Sequence, residues 1–478
     1  MSLAPLTKQG LKTLRDGFYK CPKNRLAQNA VTQKDPLEIA MCRPRIEQTS
    51  HVFTYKVDNE AKPVCDQKST GRCWNFAAHN VMRLPFMKQF NLEEFEFSQA
   101  YFFYWDKIER SYYFLNNIVE TAKRGEKVDG RLVSFLHGDP VSFNTSFILY
   151  FTEFTMFNLF KIGDGGQWDM IVNIINKHGV MPKKCFPESF SSENSARMNA
   201  ILKSKLREFS KVLRDLITAG ASNDVVQKKV DEQMLDIYNI VGICLGIPSE
   251  TFTWEYYDKN KKYFSIGPVT ALEFYEQYVK PYFNIDDKVC LVTDPRPSNE
   301  FGKGYTVDCL GNVVGGRTVF YNNQPVDVLI DLITKSLKDN EAVWFGCDVG
   351  ARFARFQGGI EDLEIHDYKV LFNTEVQLGL NKAERLIYGD SLMTHAMVFT
   401  GYGTDKEDKP TKFRVENSWG ESRGGDKGYL IMTVDWFREY GYEIVVDKKY
   451  VSEEIMKVFE TKPIVLNAWD PMGSLARC

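Results

Sequence analysis

None of the ten cysteines pairs with another in a C-x-x-C spacing, so neither a zinc ribbon nor a thioredoxin-type redox site is indicated. An excess of either charge is also missing. Sixty Lys and Arg against 63 Asp and Glu leave a net charge of −3, which excludes the broad basic field of a nucleic-acid binder. Nucleic acid is therefore not an expected partner. The apolar run Phe147 to Phe160 is short and interrupted by Glu153, so no membrane span is expected. Met1 to Gly10 has no apolar core followed by a small-residue cleavage site, so a secretory signal is not expected. Ten reduced thiols in a reducing compartment are the simplest expectation, and a cytoplasmic location with them. Internal repeats and low-complexity tracts are absent as well.

What is present is an ordinary globular composition. The chain has 478 residues, 44% hydrophobic and 26% charged, enough for two or three domains' worth of core. Ser2 to Tyr19 suggests an amphipathic helix, and Asn24 to Arg45 reads as an irregular arm punctuated by Pro36 and Pro44. Trp74, Phe76, Ala77, Ala78, Val81 and Met82 fall near helical spacing, and Pro85 is expected to close that run. Ser98 is a plausible N-cap for an aromatic helix beginning near Gln99. Ser191 to Tyr238 is charged and helical, with a stripe of Leu202, Leu206, Phe209, Val212, Leu213 and Leu216, and Asp224 to Val241 predicts a second helix. Ile247 to Val307 reads as irregular, and Val326 to Lys338 as another helix. From Ala342 the pattern turns to strands: Ala342 to Val349, His395 to Gly403, Phe413 to Gly420 and Gly428 to Met432, an antiparallel β unit. At the C-terminus, Trp469, Pro471, Met472 and Leu475 are costly to leave exposed, so that segment is expected to be covered.

The chemistry centres on Asp66 to Ala78. A glycine turn delivers Cys73 to the start of an apolar helix, where unpaired N–H groups and the helix dipole stabilise a thiolate. Gln67 carries an amide that can donate to a nearby oxyanion. A lone cysteine is more often core filler, so the weight rests on the residues far downstream. A thiol nucleophile needs a base, and the base an orienter. Among six histidines, His395 opens one strand and Asn417 ends the next. An Asn oxygen accepting from one ring N–H leaves the other nitrogen facing a thiol, and Trp419 would shield that bond. Gly165 and Gly166, just ahead of a helical stretch, let another backbone approach closely, or simply make a tight turn.

Gln67…Cys73-Trp74, His395-Ala396 and Asn417-Ser418-Trp419-Gly420 occur in the order and local wording of the papain-like cysteine peptidases, which this chain resembles. Gly165-Gly166 resembles that family's cleft-lining glycine pair, and Phe356 to Ile360 the segment ahead of its histidine strand. Thr70 stands where secreted members carry a disulfide cysteine. Asn80 to Met87, Glu94 to Gln99, Thr251 to Tyr256, Asn322 to Pro325 and Trp469 to Gly473 narrow the resemblance to a cytosolic aminopeptidase branch.

The resemblance implies an α+β papain-like fold, a helical half and an antiparallel β half, with a large helical insertion. The expected divisions are an arm (1–54), a helical half with Cys73 (55–190), the insertion (191–338), a β half with His395 and Asn417 (339–465) and a tail (466–478). It implies hydrolysis of peptides and small amides by Cys73, His395, Asn417 and Gln67 without metal or cofactor, in a ring-shaped homohexamer. Gly165, Gly166, Trp419, Ala476 and Cys478 are the implied substrate-binding residues, the last two from a tail lying in the cleft. Arg477 and Cys478 run past the family's usual ending and are candidates for removal by the enzyme itself. An acyltransferase with the same thiol, or a non-catalytic ring scaffold, are the competing readings. The first would want an acidic residue at Asn417, and the second should have lost Cys73 or His395.

Overall fold

A computed structural model describes residues 3–58, 60, 62–128 and 163–477; the aromatic stretch 143–160 and Cys478 lie outside them. Its centre is one mixed sheet of twelve strands among the described residues. The histidine strand, His395–Thr404, runs antiparallel between Val343–Cys347 and Pro410–Glu416. His395 pairs with Cys347, and Val398 with Glu416. Side chains alternate across a strand, and here both faces are covered. Trp344, Ala396, Val398 and Val445 pack toward the helices Cys73–Gln89 and Trp168–His178. Phe345, Met397 and Phe399 pack the other way, against Val326–Lys338 and Val434–Tyr440, with the Phe345 and Phe399 rings stacked at 3.7 Å. Burial on both faces explains the uninterrupted apolar run of the histidine strand.

A second core joins Gln99–Lys123 to Ala196–Thr218 and Asn223–Leu245. Leu202, Phe209 and Leu213 from the expected stripe are buried there, whereas Val212 faces solvent. Ser98 caps the first of these helices, its Oγ accepting from Tyr101 N at 2.9 Å.

The structure differs from the sequence reading in five places. Asn24 to Arg45 is not irregular: it holds the helices Pro22–Val31 and Pro36–Ile39 and the start of Arg43–Gln48. The prolines sit at first or second helical positions, where a missing N–H costs nothing. The Cys73 helix continues through Pro85 to Gln89. Phe86 lies among Phe90, Phe95, Phe97 and Trp254, and that packing outweighs the lost backbone bond. Ile247 to Val307 is ordered as the hairpin Phe252–Tyr257 with Tyr263–Val269, followed by Lys288–Val292 and Lys303–Val307. Lys288–Val292 pairs with Gly441–Asp447 in the main sheet, so the region 191–338 is not wholly a helical insertion. Finally, the four strands expected from the sequence do pair antiparallel, but the full sheet adds parallel pairs: Tyr429–Thr433 with Ile360–Glu361, Lys288–Val292 with Tyr321–Asn323, and Ile464–Leu466 with Lys303–Val307.

Candidate active site

The loop ahead of Cys73 is pinned from several sides. Gln67 N donates to Ser418 O at 2.8 Å, and Thr70 Oγ1 donates to Gln67 O at 2.7 Å. Arg72, fully buried, stacks on Phe76 and Phe103 and pairs with Glu188 at 3.0 Å. Cys73 therefore begins its helix with a buried thiol. Burial pushes that thiol up to about 11, against the pull of the Ala396, Trp74 and Cys73 backbone N–H groups. The Ala396 contact sets the sulfur beside the residue next to His395.

His395 Nε2 lies 2.8 Å from Asn417 Oδ1, and the same oxygen accepts from Ser418 N at 2.7 Å. The Ser418 bond fixes which amide atom is oxygen. An amide oxygen only accepts, so Nε2 carries the proton and Nδ1 keeps a free lone pair. The Trp419 ring, half-buried, sits 4.9 Å from the His395 ring. Burial lowers His395 to about 4, the Asn417 bond opposes this, and the Arg355 charge adds to it.

The Gln67 amide is oriented at both ends. Its Oε1 accepts from Ser418 Oγ at 2.7 Å and its Nε2 donates to Thr70 O at 2.6 Å. One amide hydrogen is left for another acceptor. Ser418 and Thr70 thus hold the oxyanion donor expected from the sequence, and neither was marked for that role by its own local pattern.

Gly165 and Gly166 are required by close approach. A Cβ on Gly166 would meet the Trp74 ring at 2.5 Å. One on Gly165 would lie 1.9 Å from the Leu475 carbonyl oxygen. The tail therefore lies directly on Gly165. Between the glycine pair and the Cys73 loop sits Asp164, which the sequence reading missed. Its carboxylate accepts from Lys107 Nζ at 2.9 Å, Asn199 Nδ2 at 2.7 Å, Ser195 Oγ and Gly71 N at 3.3 Å, and its carbonyl from Trp74 Nε1 at 2.6 Å. Burial alone would raise its pKa, but Lys107 and the hydroxyl and amide donors hold it below the usual carboxylate range. No local motif marks it, because its partners are scattered along the chain.

The tail enters as the strand Ile464–Leu466 and ends in the 3₁₀ helix Pro471–Arg477. Met472, Ser474, Leu475 and Ala476 are buried. Arg296 pairs with Asp470 at 2.9 Å, Tyr321 OH donates to Met472 O at 3.1 Å, and Ser474 Oγ donates to Met393 O at 2.8 Å. Trp469, expected to be covered, stays 36% exposed. Burial of Met472 and Leu475 stabilises docking by about 1.5–3 kcal/mol each. Gly165→Ala is expected to expel the tail, because the new methyl would occupy the position of the Leu475 carbonyl. Protease susceptibility of the C-terminus in the variant, read by intact-mass analysis, should rise sharply; an unchanged digestion rate would contradict the contact.

Among the described residues no group of three or more His, Cys, Asp and Glu could hold a metal ion, and no helix is long and apolar enough to cross a membrane. None of the nine described cysteines is in a disulfide.

The structure thus brings a buried thiol at a helix N-terminus to the backbone next to an imidazole–amide pair, between a helical layer and a sheet. The chain belongs to the Peptidase C1-like family, whose model matches residues 5–146 and 153–473. It is 51% identical over 479 residues to bleomycin hydrolase of Homo sapiens, covering all of both chains. It is 39% identical to aminopeptidase C of Streptococcus thermophilus over 94% of each chain. The crystal structure of PepW from Lactobacillus rhamnosis superposes with a TM-score of 0.89 at 38% identity, over 98% of this chain and 99% of that one. The protein is thus a cysteine aminopeptidase.

Proposed function

We propose that the chain removes N-terminal residues from peptides, and hydrolyses related small amides including bleomycin-type ones, by attack of Cys73. The observation that carries this reading is the combination of Cys73 Sγ against the Ala396 backbone, the 2.8 Å His395–Asn417 bond and the Leu475 carbonyl on Gly165. His395 Nδ1 takes the thiol proton, Cys73 attacks the substrate carbonyl, and the imidazolium then protonates the leaving amine. Asn417 holds the ring in that tautomer. The Gln67 amide and the Cys73 backbone N–H stabilise the tetrahedral oxyanion. Water hydrolyses the thioester, and no step calls on a metal or cofactor.

The tail supplies the exopeptidase character. It fills the cleft over Gly165, which stops longer chains from extending past that point, and its terminal carboxylate pairs with the free α-amino group of the substrate. Ala476 lies beside Leu475 at Gly165, and Cys478 would have to leave for the carboxylate to stand there. A cytoplasmic homohexamer completes the proposal. Nine described cysteines without a disulfide suit a reducing compartment, and a first helix with exposed Leu11, Leu14 and Phe18 and no buried residue suits burial between copies. The test is turnover of aminoacyl-aminomethylcoumarins by the wild type and by Cys73→Ala.

Gln67→Ala should lower kcat by about 10²–10³-fold with little change in KM, because the oxyanion exists only near the transition state. Steady-state kinetics on one aminoacyl-aminomethylcoumarin decides this. A change confined to KM would move Gln67 from oxyanion stabilisation to ground-state binding.

A further inference from the structure

Beside Trp419, on the flank of the site that carries His395, lies a cation that the mechanism above does not use. Arg355 is half-buried, with its guanidinium 4.3 Å over the Trp419 ring and 5.3 Å from the Phe356 ring. Its Nε donates to Arg423 O at 2.8 Å. The backbone of the residue is clasped by the loop after Trp419: Gly425 N donates to Arg355 O at 3.3 Å. Gly424, at φ +135°, leaves room for the Arg355 stem, and a Cβ there would lie 3.0 Å from Cγ. The side chain is therefore held in place before any ligand arrives. Among the described residues it forms no ion pair, and the charge that acts on it is another cation, Arg423.

The chemistry says what passes this point. On the reading proposed above, the acyl part of a substrate lies toward Gly165, where Leu475 of the tail docks. The leaving amine must be protonated by His395, so it departs on the His395 flank, and that flank is walled by Trp419. A residue leaving there moves under the free edge of the Arg355 guanidinium. A guanidinium fork with its Nη atoms uncommitted matches a carboxylate bidentately.

We propose that Arg355 is a specificity residue that binds a carboxylate on the leaving-group side of the scissile bond. The inference rests on the thiol mechanism proposed above. The preferred substrates would be dipeptides, whose free α-carboxylate falls next to the scissile amide, and peptides with an acidic second residue. The enzyme would then grip a dipeptide at both ends, with the α-amine on the tail carboxylate and the α-carboxylate on Arg355. Each round of trimming would end on a dipeptide that binds better than the longer chain before it.

The experiment compares kcat/KM for alanyl-alanine, alanyl-alanine amide and alanyl-glutamic acid α-amide. The first presents an α-carboxylate, the third a side-chain carboxylate, and the second neither. Wild type should favour one or both acids over the neutral amide by about tenfold, chiefly through KM, and which acid wins identifies the source of the carboxylate. The advantage should shrink as salt is raised. Arg355→Gln should bring the ratio close to one, and Arg355→Lys, which keeps the charge without the fork, should retain part of it. A wild-type ratio near one, or a ratio unchanged in Arg355→Gln, overturns the proposal. Cys73→Ala is run alongside. Dipeptide turnover that survives without Cys73 would instead overturn the thiol mechanism, so the two failures are distinguishable.

Discussion

Cys73→Ala is expected to abolish aminoacyl-aminomethylcoumarin hydrolysis, by at least about 10⁴-fold, since removing a nucleophile leaves only binding and the oxyanion donors. Folding should survive. The substitution removes one sulfur from a helix start that is held independently by Arg72–Glu188, by Trp74 on the Asp164 carbonyl and by the apolar residues of the same helix. Near-UV circular dichroism and the elution volume should match wild type. Thiol alkylation gives a second measure. Cys21, Cys42, Cys185, Cys244 and Cys309 are half-exposed and should also react, so the decisive quantity is which label tracks the loss of activity. Inactivation that tracks any site other than Cys73 would remove it from the mechanism.

The second large effect belongs to the tail. Full-length enzyme should cleave N-acetylated substrates poorly, because acetylation removes the charge that the terminal carboxylate pairs with and adds atoms where Leu475 and Ala476 stand. Deleting Leu475 to Cys478 should relieve both restrictions and admit internal cleavage of longer peptides, seen as new fragments in mass spectra. The anchor should remain, since Arg296–Asp470 and the strand Ile464–Leu466 lie upstream of the deletion. A truncated enzyme with unchanged amine selectivity would show that the tail is not the device that measures the substrate.

The contrast between what was legible in the sequence and what was not comes from distance along the chain. Gln67 and Cys73 share one loop, and His395 and Asn417 lie at the ends of adjacent strands, so short local wording carried them. Asp164 could not be found that way, because Lys107, Ser195, Asn199 and Gly71 meet only in the fold. Pro85 misled for a related reason. A proline is a local stop signal, but the aromatic cluster around Phe86 is assembled from residues as distant as Trp254, and it keeps the helix going. The strands Lys288–Val292 and Lys303–Val307 are five residues each and flank Asp294-Pro295-Arg296-Pro297. Only pairing with distant partners such as Gly441–Asp447 makes them part of a sheet.

The tail's final segment is a 3₁₀ helix, Pro471–Arg477, whereas a peptide laid along a cleft is an extended chain. An extended residue advances about 3.3–3.6 Å, but a 3₁₀ residue advances about 2.0 Å. On the reading proposed here, the cut site is therefore graduated more finely than the substrate it measures. One residue gained or lost beyond Leu475 shifts the blocking end by little more than half a substrate residue. Most tail lengths would leave the terminal charge out of step with the peptide backbone in the cleft, and only particular lengths would bring them into phase. Selectivity in such an enzyme works like a vernier, adjustable at the extreme C-terminus with the catalytic groups left untouched.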